Sequence, residues 1–579
     1  MSFELNLSLE ELKKRTDRDY LIRKPMLDKN SEEFENLDNG DKEALKHLVK
    51  AANQVNSIYM KQDNDLNIPF LSFLNEEIQK GNEEAKLTKI LFDAQLGIIG
   101  IDSESNPVIL LKGEKVLDGK AFYPSDLTTE EFISIIKTML KDGEIEEVKN
   151  ILNQRSIVKR NGNKLKAIDY TEAFKTEFSI MADELELAAQ TSTNKDFNEY
   201  LILQAKALRE NNPMLDAQAD KKWASLQDTP LEFTISREQY ADLMTGFVME
   251  DKELCELLEK NGISPLSKDS IGARVGIVNK KGTQDLLKVK KYLPLMAENM
   301  PLKENYEQNI SSDDDNLQTM VDVDIVALRG DEGAYRGGIT IAQNLPNNDK
   351  LSLTIGGGRR NVYHRQVRTN NSKEALERRK KRLNATLNPE LHKLYNPEAD
   401  HWFTIGHENV HSLGPKSGTE ALGKYKNIIE ENKADMGSLA LLDCLVQAGV
   451  YSEEEKKQIL VTFGANCFLK AKPKLSQAHR VRTVMQAYFF INEGALSVNE
   501  DGIIDINTDK MAAAARKMLT EIIEVQLSQD FSRGEKYIND YFKWTDKMEK
   551  VSKKLKETDK SLNGVIETPL ADYLAGLQV

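Results

Sequence analysis

The 579-residue chain has only three cysteines, Cys255, Cys444 and Cys467, far apart and with no CxxC pair. That excludes a disulfide scaffold and a thiolate zinc site, and it points to a reduced, cytoplasmic setting. Cys444 and Cys467 read as small apolar packing residues. Long apolar runs are missing as well. The longest, about Leu96–Ile101, falls far short of the ~18–20 residues a membrane-spanning helix needs. Met1 to Tyr20 mixes acids and bases throughout, unlike a secretory signal. Positive charge is not in excess either: 79 Lys+Arg against 93 Asp+Glu leave a net charge of −14. This argues against nucleic-acid and anionic-membrane partners. Gly356-Gly357-Gly358-Arg359-Arg360 lacks the GK(S/T) ending of a phosphate loop and reads as a flexible connection. Arg378–Arg382 lies within a turn of Glu374 and Glu377, the pattern of a charged helix face.

What is present is an ordinary globular composition, 40% apolar and 30% charged, in a length suited to several domains or two large lobes. The first ~85 residues read as charged amphipathic helices broken at Asn39-Gly40. Gly97–Asp102 with Val108–Lys112, and Ser156–Lys159 with Lys164–Ile168, read as hairpins. Helical spacing runs through Thr128–Gln154 and Thr171–Gln190. Further strands are expected at Leu231–Ile235, Ala273–Val278, Val321–Leu328, Gly338–Ile341 and Leu351–Ile355, and Asp313–Asp315 reads as a solvated loop. From Ser372 the pattern is almost wholly helical: Ser372–Tyr395, Pro397–Leu413, Thr419–Ala448, Ser452–Phe468, Ser476–Asn492 and Asp509–Leu555. The expectation is an α+β, predominantly helical fold of two lobes. Residues 1–340 form a mixed lobe with a small β-sheet or barrel, and 341–579 a mostly helical lobe, with interleaving of the two left open.

Chemistry concentrates in His407-Glu408-Asn409-Val410-His411, an HExxH. On a helix the two histidines fall one turn apart on one face, so both imidazoles reach a single zinc ion. Glu408 then stands where its carboxylate takes a proton from a metal-activated water. Asn396 as N-cap, Pro397 at the first helical position and Gly414-Pro415 as the stop frame that helix. With 7 histidines in 579 residues, an HExxH arises by chance in roughly one such chain in a hundred. A catalytic zinc site needs a third protein ligand. Downstream, Glu430-Glu431-Asn432-Lys433-Ala434-Asp435 offers Glu431 as that ligand, with Glu430 and Asp435 as carboxylates to receive the histidines' other N–H groups. His47, His364, His392 and His401 have no ligand-like neighbours at helical spacing and read as structural. Trp402-Phe403 reads as packing behind the zinc helix.

These motifs resemble the dipeptidyl peptidase III family of zinc metallopeptidases. That family pairs its zinc helix with a downstream EEC(R/K)A(E/D)-like helix, matched here by residues 430–435. Most members carry a six-residue HExxGH, so the five-residue motif here is similar to a divergent branch. Gln477-Ala478-His479 resembles the family's QAH segment, and Asn344-Leu345-Pro346-Asn347 its NxPN element; Val278-Asn279-Lys280 is a weaker match to a VNK strand. Together the main matches span about Asn344 to Gly494. The resemblance implies that His479 stabilises the reaction intermediate, and that Asn344 and Asn347 bind the substrate backbone. It places the active site in a cleft between the lobes. Two departures stand out. Ser264–Ile271 carries no equivalent of the Tyr- and Glu-bearing loop that holds the substrate's amino end. The arginine expected one turn after the histidine is replaced by Thr483, the nearby bases being Arg480 and Arg482.

The resulting expectation is a cytoplasmic peptidase holding one Zn2+ per chain on His407, His411 and Glu431, with Glu408 as base, acting on short peptides. Zinc hydrolysis has more support than release of N-terminal dipeptides. Two alternatives stay open: a catalytically weak or inactive peptide-binding protein on the same zinc fold, and a zinc hydrolase of a non-peptide amide. No sequence feature sets an oligomeric state.

Overall fold

The computed structural model describes residues 3–576 apart from 211, 240, 309–317, 337, 339–341, 346–353, 358, 370–372, 416–417 and 476. Its first lobe is organised by five strands: β1 (Leu231–Glu238), β2 (Ser270–Asn279), β3 (Gln318–Gly330), β4 (Ala342–Leu345) and β5 (Arg359–Tyr363). They lie in the order β1-β2-β3-β5-β4. Only β3 and β5 run parallel; the other neighbours are antiparallel. The sheet is open, so among the described residues there is no closed barrel.

Strand periodicity explains its two faces. Leu231, Phe233, Ile235, Ala273 and Val275 point into an apolar core. That core is completed by α1 (Asn39–Asp63) and α2 (Lys175–Thr191), whose Leu45, Leu48, Val49, Ala52 and Val55, and Met181 and Leu185, are fully buried. Each leucine, valine or methionine among them contributes about 1.5–3 kcal/mol when removed from water. The alternate residues of β1, Glu232, Thr234, Ser236 and Glu238, are also buried although polar. Glu232 pairs with Arg360 of β5, and Glu238 accepts from the Gln343 amide of β4.

That second lobe is built on α3 (Pro397–His411), α4 (Lys426–Ala440), α5 (Ala478–Asn492) and α6 (Thr508–Ser528). Its core runs from Leu286–Met300 and Met320 to Tyr363–Leu555. The first core draws on Leu27–Val278, part of β3, Val362, and Leu570 and Ala571 near the C-terminus. The chain therefore passes between the lobes several times, and β4 and β5, beyond residue 340, complete the first lobe's sheet.

Both expected hairpins are present, at Ile99–Ile101 with Pro107–Ile109 and at Ser156–Asn161 with Lys164–Asp169. Asn39-Gly40 starts α1 instead of breaking a helix. A Cβ on Gly40 would stand 2.5 Å from the Thr191 carbonyl oxygen, so glycine lets α1 close on the end of α2. The Gly356–Arg360 segment is not wholly a flexible connection, because Arg359 and Arg360 enter β5. Arg360 is fully buried, pairing with Glu232 at 2.8 Å and lying over the Trp223 ring. The single helix expected at Asp509–Leu555 is three, Thr508–Ser528, Phe531–Tyr541 and Asp546–Thr558. Gln529, left-handed at φ 50°, ends the first, and Asp530 caps the second. Thr128–Gln154 breaks at left-handed Gly143. The sequence reading passed over Leu21–Pro25 paired with Asn563–Glu567, and Leu496–Val498 paired with Ile504–Ile506. The expected strands at Gly338–Ile341 and Leu351–Ile355, and the Asp313–Asp315 loop, lie mostly or wholly outside the described residues.

Candidate metal centre

Helix α3 begins as its sequence dictates: the Asn396 side chain accepts from the Glu398 amide at 3.0 Å, with Pro397 at the first position. It crosses α4 at a very close approach. A Cβ on Gly406 would lie 2.3 Å from Ser438 Oγ, and one on Gly437 would lie 2.4 Å from Val410 Cγ1. Ser438 Oγ donates to the Phe403 carbonyl at 2.8 Å, fixing the crossing.

The crossing brings together His407, His411 and Glu431, each offering a ligand atom within 4.8 Å of the others. The two Nε2 atoms are 3.1 Å apart. Glu431 Oε2 stands 3.5 Å from His407 Nε2, and Oε1 stands 3.8 Å from His411 Nε2. The outer imidazole nitrogens are held from behind: His407 Nδ1 is 2.7 Å from Asp435 Oδ1, and His411 Nδ1 is 3.1 Å from Glu430 Oε1. Each carboxylate is anchored in turn. Lys433 Nζ lies 2.8 Å from Glu430 and donates to the Leu413 carbonyl, and Gln526 of α6 donates to Glu430. Arg482 of α5 pairs with Asp435, and Gln486 donates to the same carboxylate at 2.8 Å.

The electrostatics of this donor set call for a cation. Glu408, Glu430, Glu431 and Asp435 are four carboxylates, against two permanent cations, Lys433 and Arg482. Burial acts to raise the Glu431 carboxyl, but the charges of His479, His411 and His407 hold it well below its usual range. Burial is likewise outweighed at Glu430, held at about 2 by Lys433 and His411, and at Asp435 by Arg482 and His407. Burial depresses His411, yet Glu430 and Glu431 raise it overall. Glu408 is the exception, its carboxyl pushed up by burial although His407 and His411 pull the other way. Glu431 Oε2 is buried and faces His407 Nε2 at 3.5 Å. A donor set of two imidazoles and one carboxylate converging within 4.8 Å fits a divalent ion of the zinc class.

His479, at the start of α5, places Nδ1 3.1 Å from Glu431 Oε2 and keeps 58% of its side chain exposed, so it borders the centre at the solvent side. Asn344 lies on β4, its backbone opposite Asn361 of β5; Asn347 is outside the described residues.

Several buried polar residues near the centre had drawn no attention in sequence. Ser264–Ile271 contains no tyrosine and leads into β2. Glu238, at the end of β1, shares the Gln343 amide of β4 with Glu332. Burial, then Asp331 and Glu332, push the Glu238 carboxyl up to about 8, and the charge of Glu431 reaches it as well. Arg336 pairs with Asp331 at 2.9 Å. Arg274 is fully buried, 3.8 Å from Glu332, with none of its guanidinium nitrogens hydrogen-bonded. The one local signal was an acid where β1's polar alternation ends.

No family model matches the chain. Nudix hydrolase 3 of Arabidopsis thaliana is 23% identical over 452 residues, covering 73% of this chain and 54% of that protein. The chain thus spans about half the length of the curated relative it matches. Among solved structures, dipeptidyl-peptidase III from Corallococcus sp. strain EGB superposes with a TM-score of 0.79 at 22% identity, covering 98% of each chain. DPP III from Caldithrix abyssi gives 0.77 at 22% identity, covering 98% of this chain and all of the other. The mainly helical two-lobed architecture described above is the fold of those structures.

Proposed function

We propose that the chain is a zinc-dependent peptidase acting on short peptides, with one Zn2+ held by His407, His411 and Glu431. The observation that carries this reading is the convergence of those three side chains beside a buried Glu408, each imidazole backed by its own carboxylate. The chemistry a bound zinc ion supplies is Lewis acidity, which brings the pKa of a water near neutrality. Glu408 would take the proton of the attacking water and pass it to the leaving amine. A carboxyl raised by burial suits that exchange, since a base works best when its pKa approaches the working pH. His479 would donate to the carbonyl oxygen as charge develops there. Asn344 and Asn347 would pair with the peptide backbone, since each carries donor and acceptor groups.

The peptide would lie between the sheet of the first lobe and the helices of the second. Glu238 and Glu332 at the sheet end of that path favour a peptide presenting its free amino group. Arg274 and Arg336 already match Glu332 and Asp331, while the raised Glu238 carboxyl would give up its proton to pair with an incoming ammonium. This supports removal of a short amino-terminal piece such as a dipeptide over internal cleavage. The divergent five-residue branch of the dipeptidyl peptidase III family is the corresponding family assignment.

The test is a peptide library assayed with and without chelator, alongside Glu408→Gln. Metal-dependent cleavage that disappears in the variant, with dipeptides released from the amino end, is the expected result. Peptide binding without cleavage by the metal-loaded wild type would overturn it in favour of a binding protein.

A further inference from the structure

We propose that Arg482 is a positioning residue that holds two carboxylates of α4 together: Asp435, which braces His407, and Glu431, the carboxylate of the metal centre. The inference rests on the zinc reading above. Arg482 follows His479 by three residues on α5, so both side chains come off the same face of the helix and meet α4 where Glu431 and Asp435 stand one turn apart. The Nη1 of Arg482 pairs with Asp435 Oδ2, and its Nε lies 3.8 Å from Glu431 Oε2. Both of those last two atoms are buried; the Arg482 Nε makes no hydrogen bond, and Glu431 Oε2, with His479 Nδ1 at 3.1 Å, can accept a second donor. A buried, unbonded guanidinium N–H this close to a buried carboxylate oxygen marks a contact that a shift of under about 1 Å would complete.

Asp435 does not need Arg482 merely to stay in place. Gln486, one turn further along α5, already donates to Asp435 and to Asn432, which is itself tied to the Tyr537 hydroxyl. What Arg482 adds is a charge and a second arm. A guanidinium presents several N–H groups in a rigid fork and so can fix two carboxylates at once, which a lysine ammonium does without that geometry. Thr483, the next residue, cannot substitute, because its hydroxyl bonds the His479 carbonyl of its own helix. With Arg482 in place the orientation of Glu431 is coupled to that of His407 through Asp435, so two of the three donors are set by one side chain.

The experiment compares the metal-free wild-type chain with Arg482→Gln and Arg482→Lys. Zinc affinity is measured by competition with a chromophoric chelator, and the visible spectrum of the Co2+-loaded protein reports ligand geometry. Arg482→Gln should bind Zn2+ about 10–100-fold more weakly, the usual effect of losing such a supporting group, and its cobalt bands should shift. Arg482→Lys should recover part of the affinity and keep the shifted bands. The proposal is overturned if Arg482→Gln, melting like wild type, binds Zn2+ equally tightly or gives the wild-type cobalt spectrum. It is also overturned if Arg482→Lys restores both, since charge alone would then suffice. Should the glutamine variant not fold, the lysine spectrum decides. A wild-type chain that binds neither metal would refute the zinc reading itself, and this proposal with it, before any variant is compared.

Discussion

Asp435 Oδ1 stands 2.7 Å from His407 Nδ1, which turns the other ring nitrogen of His407 toward His411 and Glu431. The carboxylate thereby selects both the rotamer and the tautomer a metal ligand needs. Asp435→Asn removes the charge but keeps the shape. It should weaken zinc binding about 10–100-fold while leaving the fold intact, read by chelator competition together with circular dichroism. Unchanged affinity would show that Asp435 is merely a buried partner of Arg482.

Glu408 tests the chemistry separately from the metal. Glu408→Gln should leave zinc stoichiometry unchanged and lower turnover by about 10²–10⁴-fold, the range for loss of a general base. Steady-state kinetics on a cleaved peptide, with metal analysis of the same sample, checks both halves. Full turnover in the variant would remove Glu408 from the mechanism.

The legibility of this centre in sequence follows the range of the interactions. The HExxH helix could be read because its i, i+4 spacing and its Asn396-Pro397 start are local. That the Glu430–Asp435 segment is helical was equally local. Its arrival beside the histidines was not, since it depends on Gly406 and Gly437 letting two helices approach. Strand β5 escaped notice because Arg360 reads as a surface residue until Glu232 and Trp223, distant in sequence, bury it. Glu238 was missed for the same reason: an acid at a strand end becomes notable only when folding places Asp331, Glu332 and Gln343 around it. The break at Gln529 is a left-handed turn made without glycine, so no residue type announced it.

The helix crossing itself can be probed. Gly437→Ala puts a methyl where Val410 already stands, and the resulting overpacking should cost about 1–3 kcal/mol. Chemical denaturation measures this, and zinc affinity should fall in the same variant because α3 and α4 must separate. A variant of wild-type stability would contradict the close approach.

Glu238 makes a signed prediction for pH. Its carboxyl is raised from 4.5 to about 8 in the folded chain, first by burial and then by Asp331 and Glu332, against the pull of Arg336. The folded state therefore holds this proton more tightly than the unfolded chain does. The associated stability is complete below about pH 4.5 and is lost as pH rises through about 8. Melting temperature should fall across that window in the wild type, and less steeply in Glu238→Gln. Equal slopes for the two proteins would show that Glu238 is ionised throughout.

The most direct test of the whole account is an anomalous diffraction map collected at the zinc absorption edge from crystals of the Zn2+-loaded chain. It should show one strong peak, in contact with His407 Nε2, His411 Nε2 and a Glu431 oxygen. A map with no peak between these three residues, or with its peak elsewhere in the molecule, would contradict the account.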